Sequence, residues 1–269
     1  MTAARARLDA ELVRRGLARS REQAGELVAA GLVAVAGQQA SKPATQVARD
    51  APITVTDRLE PDYVSRGGHK LAGALAVFGS QDSGGLAVAG RPCLDAGAST
   101  GGFTDVLLRA GAAHVVAADV GYGQLAWSLR TDPRVTVLDR VNVRSLEQVT
   151  PVPDLVVADL SFISLTLVLP ALVACAAAGA DFVLLVKPQF EVGKGRVGAG
   201  GVVRDPADRS AAVEKVAGAA AGLGLGVRGV TASPLPGPAG NVEYFLWLRR
   251  GAPPLDPQQL LRAIEEGPS

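Results

Sequence analysis

Four charged residues interrupt otherwise apolar stretches of this chain: Lys70 in VSRGGHKL, Asp159 in VVADLSFISL, Lys187 in FVLLVKPQFE and Glu243 in NVEYFLWL. Lysine is seldom buried unless an opposite charge accompanies it. The amine at Lys187, which follows five apolar residues, therefore asks for a carboxylate partner. Two amines and two carboxylates gathered at one sheet edge alter one another's proton affinity by charge and by desolvation. An amine held there as its free base can take the proton of a weakly acidic hydroxyl, and a second cation stabilises the developing oxyanion. The same four residues also fit two structural salt bridges, and residue types alone leave both readings open.

The second chemical element is CLDAGASTGGFTDVLLRAG, residues 93–111. It reads as a strand running to Asp95, a Gly-rich turn, and a helix from Gly101. Glycines let backbone approach a ligand closely, and a helix start offers unpaired N–H groups. The spacing Gly97-x-x-x-Gly101-Gly102 departs from the Gly-x-Gly-x-x-Gly of dinucleotide enzymes, which counts against a dehydrogenase. The acid Asp95 ahead of the turn would repel a diphosphate and suits a cation such as S-adenosylmethionine. Candidate cofactor residues are therefore Asp95, Gly97, Ala98, Ser99, Thr100, Gly101, Gly102 and Phe103. Asp119, at the end of the next strand, can accept hydrogen bonds from ribose hydroxyls, and Asp139 or Asn142 can reach the adenine. A helix cap or a loop charge is the alternative for each. With such a cofactor, hydroxyl deprotonation becomes attack of a ribose 2′-hydroxyl on a sulfonium methyl, in one step with inversion. The two cysteines, Cys93 and Cys175, and two histidines form no metal-ligand spacing, so no metal is expected.

To gather these residues the chain must alternate strands and helices. Arg91–Leu94, His114–Ala118, Val135–Leu138, Leu155–Ala158, Asp181–Val186, Leu225–Thr231 and Val242–Leu248 read as strands. Gly101–Arg109 and Ala207–Leu223 read as helices, and the alternation predicts a parallel α/β sheet. Residues after Gly251 read as a tail with a helical turn or two. Ahead of this, residues 5–60 form a separate pattern. Leu8, Leu12 and Val13 have helical spacing, as do Ala24, Leu27 and Val28 after a Ser20/Gln23 capping box. Gly31 ends that helix, Val33 and Val35 alternate as a strand, and Ile53 and Val55 close the unit. Asp57–Asp62 is a polar connector. The expected organisation is a front domain at 1–59, a linker at 60–66 and a catalytic domain at 67–269.

Hydrophobic residues make up 48% and charged residues 20%, which excludes global disorder. Aromatics are only 4%, so Ala, Val and Leu must build the core. The net charge of +1 is unevenly placed: residues 1–49 hold eight Lys and Arg against four Asp and Glu. That is either a surface for a polyanion or a solvated face. The start, MTAARARLDAELVRRG, lacks the apolar core of a signal peptide. The longest apolar stretch, Val168–Val186, contains Pro170, Gly179 and Asp181, and divides into a helix and a strand, not a membrane span. A cytoplasmic protein with no membrane contact is expected.

The set Lys70, Asp159, Lys187 and Glu243, with GASTGGF between the first two, resembles the Lys-Asp-Lys-Glu tetrad of FtsJ-type ribose 2′-O-methyltransferases. The segments VSRGGHKL, LDAGASTGGFTDVLL, AADVGYGQLAW, VVADLSFISL, LLVKPQFE and SPLPGPAGNVEYFLWL resemble the TlyA family of rRNA cytidine 2′-O-methyltransferases, often labelled hemolysins. The resemblance runs from about residue 5 to residue 250. It implies a Rossmann-like class I methyltransferase fold: an α/β domain whose seven-stranded mixed sheet has its final strand antiparallel. It also implies that Lys187 is the base, that Lys70 and Glu243 complete the proton-handling group, and that Asp159 positions substrate and cofactor. RLDAELVRRGLARSREQAGELVAAGLVAVAGQQASKPATQV resembles the small α+β S4-like RNA-binding module. Arg5, Arg7, Arg14, Arg15, Arg19, Arg21 and Lys42, with Arg66 nearer the catalytic domain, are then the expected RNA contacts. The partner is ribosomal RNA or a ribosomal subunit. The ARARLDAELVRRG start resembles the longer form of the family, which modifies both subunits and confers capreomycin-type sensitivity. Membrane damage, as the hemolysin label would have it, and non-catalytic RNA binding are the alternatives.

Overall fold

A computed structural model describes residues 5–29, 31–55, 63–80 and 84–268. The chain divides into two compact units, Met1–Asp62 and Tyr63–Ser269. The expected connector Asp57–Asp62 lies outside the described residues, as do the first residues of the expected linker at 60–66.

The first unit runs β1 (Arg5–Arg7), α1 (Leu8–Arg14), α2 (Arg21–Ala29), β2 (Val33–Val35), β3 (Gln38–Gln39), β4 (Gln46–Ala48) and β5 (Ile53–Val55). β1 pairs antiparallel with β4, and β2 lies between β3 and β5. Leu8, Leu12, Ala24, Val28 and Val33 form its core, the same apolar positions that the helical and strand spacing picks out. Ser20 Oγ accepts from Gln23 N at 3.1 Å, and Gln23 Oε1 accepts from Arg19 N at 2.6 Å, a reciprocal cap at the start of α2.

The second unit begins with α3 (Gly67–Gly79), then β6 (Pro92–Ala96), α4 (Gly102–Arg109), β7 (His114–Asp119), α5 (Trp127–Arg130) and β8 (Val135–Asp139). It continues with β9 (Leu155–Ala158), α6 (Leu169–Cys175), β10 (Asp181–Val186), α7 (Pro188–Glu191), α8 (Pro206–Ala221), β11 (Leu225–Ala232), β12 (Tyr244–Arg250) and α9 (Pro257–Glu265). Its seven strands are ordered β11-β12-β10-β9-β6-β7-β8. β10, β9, β6, β7 and β8 are parallel, and β12 runs antiparallel between β10 and β11. The wholly parallel sheet expected from the alternation pattern is thus corrected to a mixed one, the form the family resemblance implied.

Strand side chains alternate between two apolar faces. Cys93, Val115, Val157 and Leu185 pack with Leu71, Phe78 and Leu107 of α3 and α4. Leu94, Val116, Val156 and Leu184 pack with Leu169, Leu172, Val213 and Val216 of α6 and α8. Both faces are covered, so the strands are continuously apolar. At the edge where the parallel strands begin, Arg91 binds Asp154 at 3.2 Å and Asp181 at 2.9 Å, and Trp247 Nε1 donates to Asp181 at 2.7 Å. That cluster ties the starts of β6, β9 and β10 together, leaving the opposite edge for the site.

Three boundaries differ from expectation in ways that matter. β6 runs on past Asp95 to Ala96, so the turn begins at Gly97. β12 starts at Tyr244, so Glu243 precedes the strand instead of interrupting it. The tail forms α9, whose Leu260 and Ala263 are buried.

Candidate active site

At the carboxyl edge of the sheet, β6 leads to β7 on one side while β9 leads to β10 on the other. This reversal opens a crevice, the usual ligand position in such sheets. Gly97 lies in the turn there with φ +88°, and a Cβ on it would stand 2.5 Å from Asp159 O. Only glycine lets the ends of β6 and β9 meet this closely. Gly102 opens α4, and a Cβ on it would lie 2.3 Å from Ser65 Oγ and 2.7 Å from Gly68 N. The start of α3 therefore rests on the start of α4, which sets Lys70, in the first turn of α3, beside the Gly-rich turn. Val64 N donates to Asp105 Oδ2 at 3.0 Å, fixing the segment ahead of α3 to α4.

The four charged residues form two close pairs. Lys70 Nζ meets Glu243 Oε2 at 2.6 Å, with side chains 8% and 1% exposed. Lys187 Nζ meets Asp159 Oδ1 at 2.5 Å and donates to Ser161 Oγ at 2.9 Å. Lys70, Lys187, Asp159 and Ser161 line one cavity of about 300 Å³ together with Gly97, Ala98, Ser99, Thr100, Gly102 and Phe103. Glu243 stands behind Lys70. Ser65, Ser161, Gly67, Pro236 and Pro238 also line it without having been singled out from the sequence. The first two carry ordinary hydroxyls in loops, and nothing in their spacing marks them. Buried Asn241 links two loops of this edge, accepting from Val203 N at 2.9 Å and donating to Gly201 O at 2.9 Å.

Asp95 is fully buried and accepts from Thr104 Oγ1 at 2.6 Å, while its Oδ1 has no hydrogen-bond partner. Burial pushes its carboxyl up to about 7, opposed by the Thr104 hydrogen bond and reinforced by the charges of Asp159 and Asp119. Asp119 Oδ2 accepts from Ser99 N at 2.9 Å and Oδ1 from Gly121 N at 2.7 Å, so it shapes the turn as well as facing it. Gly101 packs on Leu125 and Leu129, with φ +99°.

Two expected adenine contacts have other partners. Asp139 pairs with Arg130 at 2.7 Å, and that guanidinium holds its carboxyl below the usual range. Asn142 accepts from Arg144 N at 3.0 Å and caps a 3-10 turn. Neither lines the cavity. For Asn142 this is the helix-cap alternative.

The expected RNA contacts divide similarly. Arg7 and Arg21 both bind Asp9, at 2.8 and 3.0 Å, and Arg14 binds Glu11 at 2.6 Å, each with about half its side chain exposed. The Arg14 and Arg15 hydrogen bonds draw the Glu11 carboxyl down to about 2. Arg15 is spent inside its unit: it binds Glu11 at 2.8 Å, Ala51 O at 2.8 Å and Arg49 O at 2.6 Å. Arg5, Arg19 and Lys42 are exposed. Arg66 lies in the second unit, donates to Pro236 O at 3.3 Å and borders the cavity.

A Gly-rich turn at the sheet's switch point, beside two lysine–carboxylate pairs, defines a class, and the FtsJ-like methyltransferase family model matches residues 63–250. The S4 domain model matches residues 6–53. Over 274 aligned residues, 99% of this chain and all of the relative, the sequence is 63% identical to a protein of Mycobacterium tuberculosis named 16S/23S rRNA (cytidine-2′-O)-methyltransferase TlyA. This chain belongs to the TlyA family of FtsJ-like methyltransferases. A solved structure described as a hemolysin, from Streptococcus thermophilus, is 39% identical with TM-score 0.75, covering 97% of this chain and 95% of that one. Another so described, from Lactococcus lactis, is 42% identical with TM-score 0.71, covering 77% of this chain and 99% of that one. Among the described residues no helix is long and apolar enough to cross a membrane, and no three His, Cys, Asp or Glu side chains are grouped to hold a metal ion.

Proposed function

We propose that this chain methylates the ribose 2′-hydroxyl of cytidine in ribosomal RNA of both subunits, in the cytoplasm, with S-adenosylmethionine as methyl donor. The observation that carries the reading is the cavity shared by Lys187 with Asp159 and by Lys70 with Glu243 behind it. The cradle suits the donor: the turn from Gly97 to Phe103 carries no basic side chain, Asp95 lies just ahead of it, Asp119 accepts from Ser99 N within it, and Asp159 lines the cavity. The partnerless Oδ1 of Asp95 is a further fit to a cation. When bound, S-adenosylmethionine supplies a methyl group on a positively charged sulfur.

Lys187 takes the proton of the hydroxyl, with Asp159 and Ser161 orienting its amine. Lys70 provides a second positive charge for the alkoxide as it develops, and Glu243 holds that amine in place. Exposed guanidiniums of the first unit, on Arg7, Arg14 and Arg21, bind phosphates, which gives affinity without choosing sequence. In this reading the first domain is residues 1–59, the linker 60–66 and the catalytic domain 67–269.

The test is 2′-O-methyl mapping of both rRNAs from cells with and without the gene, complemented by wild type or Lys187→Ala. Marks on cytidine that return with wild type alone are expected. Equal marks with Lys187→Ala would refute the assignment of the base. No gene-dependent mark on either rRNA would refute the substrate.

A further inference from the structure

The contact between Lys187 and Asp159 joins two segments that have both left the sheet, one after β10 and one after β9. We propose that Glu191 is a positioning residue for Lys187: its buried carboxylate ties these two segments together and so holds Asp159 and Ser161 opposite the amine. The proposal rests on Lys187 being the proton acceptor.

Glu191 closes α7, four residues after Lys187, and its side chain is 1% exposed. Oε1 accepts from Leu165 N at 2.7 Å, and Oε2 accepts from Ser164 Oγ at 2.5 Å. Lys215 of α8 pairs with Oε2 at 3.4 Å and donates to Glu191 O at 2.6 Å. A buried carboxylate with this many partners is fixed in orientation. The residues it grips, Ser164 and Leu165, follow Ser161 by three and four positions.

Between them the chain passes through Phe162 with φ +64°, a left-handed conformation that a bulky side chain resists. Such a conformation persists only where its surroundings hold it. Phe162 is 91% exposed, with its ring 5.3 Å from that of Phe190 between centroids, so little packing holds this turn and Glu191 secures its far end. With that anchor released, the turn relaxes and carries Ser161 Oγ and Asp159 away from Lys187.

The test uses the full chain, rRNA and S-adenosylmethionine, with kcat, KM for RNA, cofactor Kd by calorimetry and Tm measured together. For Glu191→Ala, kcat falls about 30- to 100-fold, the scale on which displacement of a reacting group acts, with cofactor Kd and RNA KM within about twofold. Glu191→Gln keeps an acceptor for Leu165 N and a donor for Ser164, and holds kcat within about threefold of wild type. Lys215→Met removes the partner from outside the cavity and lowers kcat in the same sense, which carries the test if Glu191→Ala does not fold.

Wild-type kcat in either Glu191→Ala or Lys215→Met overturns the proposal. So does a loss in which Kd, KM and Tm worsen together and Glu191→Gln gives no rescue, the signature of a structural role alone. Inactive wild type, or an active Lys187→Ala, overturns the underlying reading instead, and this proposal with it.

Discussion

The residue types left open whether the lysine–carboxylate pairs are catalytic or only structural, and the Lys70–Glu243 pair allows the two to be separated. Its side chains are 8% and 1% exposed, and the charged atoms stand 2.6 Å apart. Removing one partner of such a buried pair leaves the other charge uncompensated, at a cost of about 3–5 kcal/mol. Replacing both by apolar residues of similar volume is about neutral. Lys70→Met and Glu243→Met are therefore each expected to lower unfolding free energy by about 3 kcal/mol or more, and the double variant to regain most of it. If the pair handles protons, the double variant recovers stability but not methyl transfer. Both tryptophans, Trp127 and Trp247, belong to the second unit, so fluorescence in a urea titration reports on that unit alone. Labelled-methyl incorporation into rRNA gives the activity. A double variant that regains stability and activity together would refute the catalytic assignment and leave a structural salt bridge. Single variants that lose less than about 1 kcal/mol would refute the premise that the pair is desolvated.

Three further outcomes follow from the same geometry. Gly102→Ala would drive a Cβ to 2.3 Å from Ser65 Oγ, so α3 must back away from α4. Overpacking of this kind costs about 1–3 kcal/mol, and activity should fall by more than cofactor binding does, as separate kinetic and calorimetric measurements would show. Asp95 titrates at about 7 in the free protein, above its ordinary 3.8, so folding stability declines as pH rises from about 4 to 7. A cationic cofactor favours the ionised carboxylate, so its affinity should strengthen as pH rises towards 7 and level off above it. Calorimetry from pH 5.5 to 8 reads this directly, and equal affinity across the range would count against a role for Asp95. Arg14→Gln should weaken RNA binding and reduce its salt slope by about 1, whereas Arg15→Gln should lower the stability of the first unit with little change in that slope. Equal slopes for both variants would contradict the distinction.

How legible the site was depended on which physical signal each residue carried. Lys187, Lys70 and Asp159 stand out because a charge breaking an apolar run is costly unless paired, and the structure supplies the pairs. Gly97 and Gly102 are visible for a similar reason, since a turn at a strand end with this many glycines implies close approach. Asp139 and Asn142 were read from position alone, and their local partners, Arg130 and the Arg144 N–H, are interactions that spacing does not reveal. Arg15 was grouped with its neighbours by charge, although its position at the C-cap of α1 turns it inward to the carbonyls of residues 49 and 51. Glu191 was invisible because an acid four residues after Lys187, in a short helix, looks like any surface charge.

The most consequential property was strand direction. Alternating strands and helices predict a parallel sheet, and in a parallel sheet a residue just ahead of the last strand lies at the edge where strands begin, far from the glycine turn. Here β11 runs in the same direction as β10 but does not pair with it; β12 returns antiparallel, inserted between the two. The loop from 233 to 243 therefore lies at the carboxyl edge, and Glu243 enters the site because it precedes an antiparallel strand. Composition and periodicity are the same for either direction of β12. What distinguishes them is the short connection between β11 and β12, eleven residues without a helix, which suffices for an antiparallel return and falls short of a helical crossover.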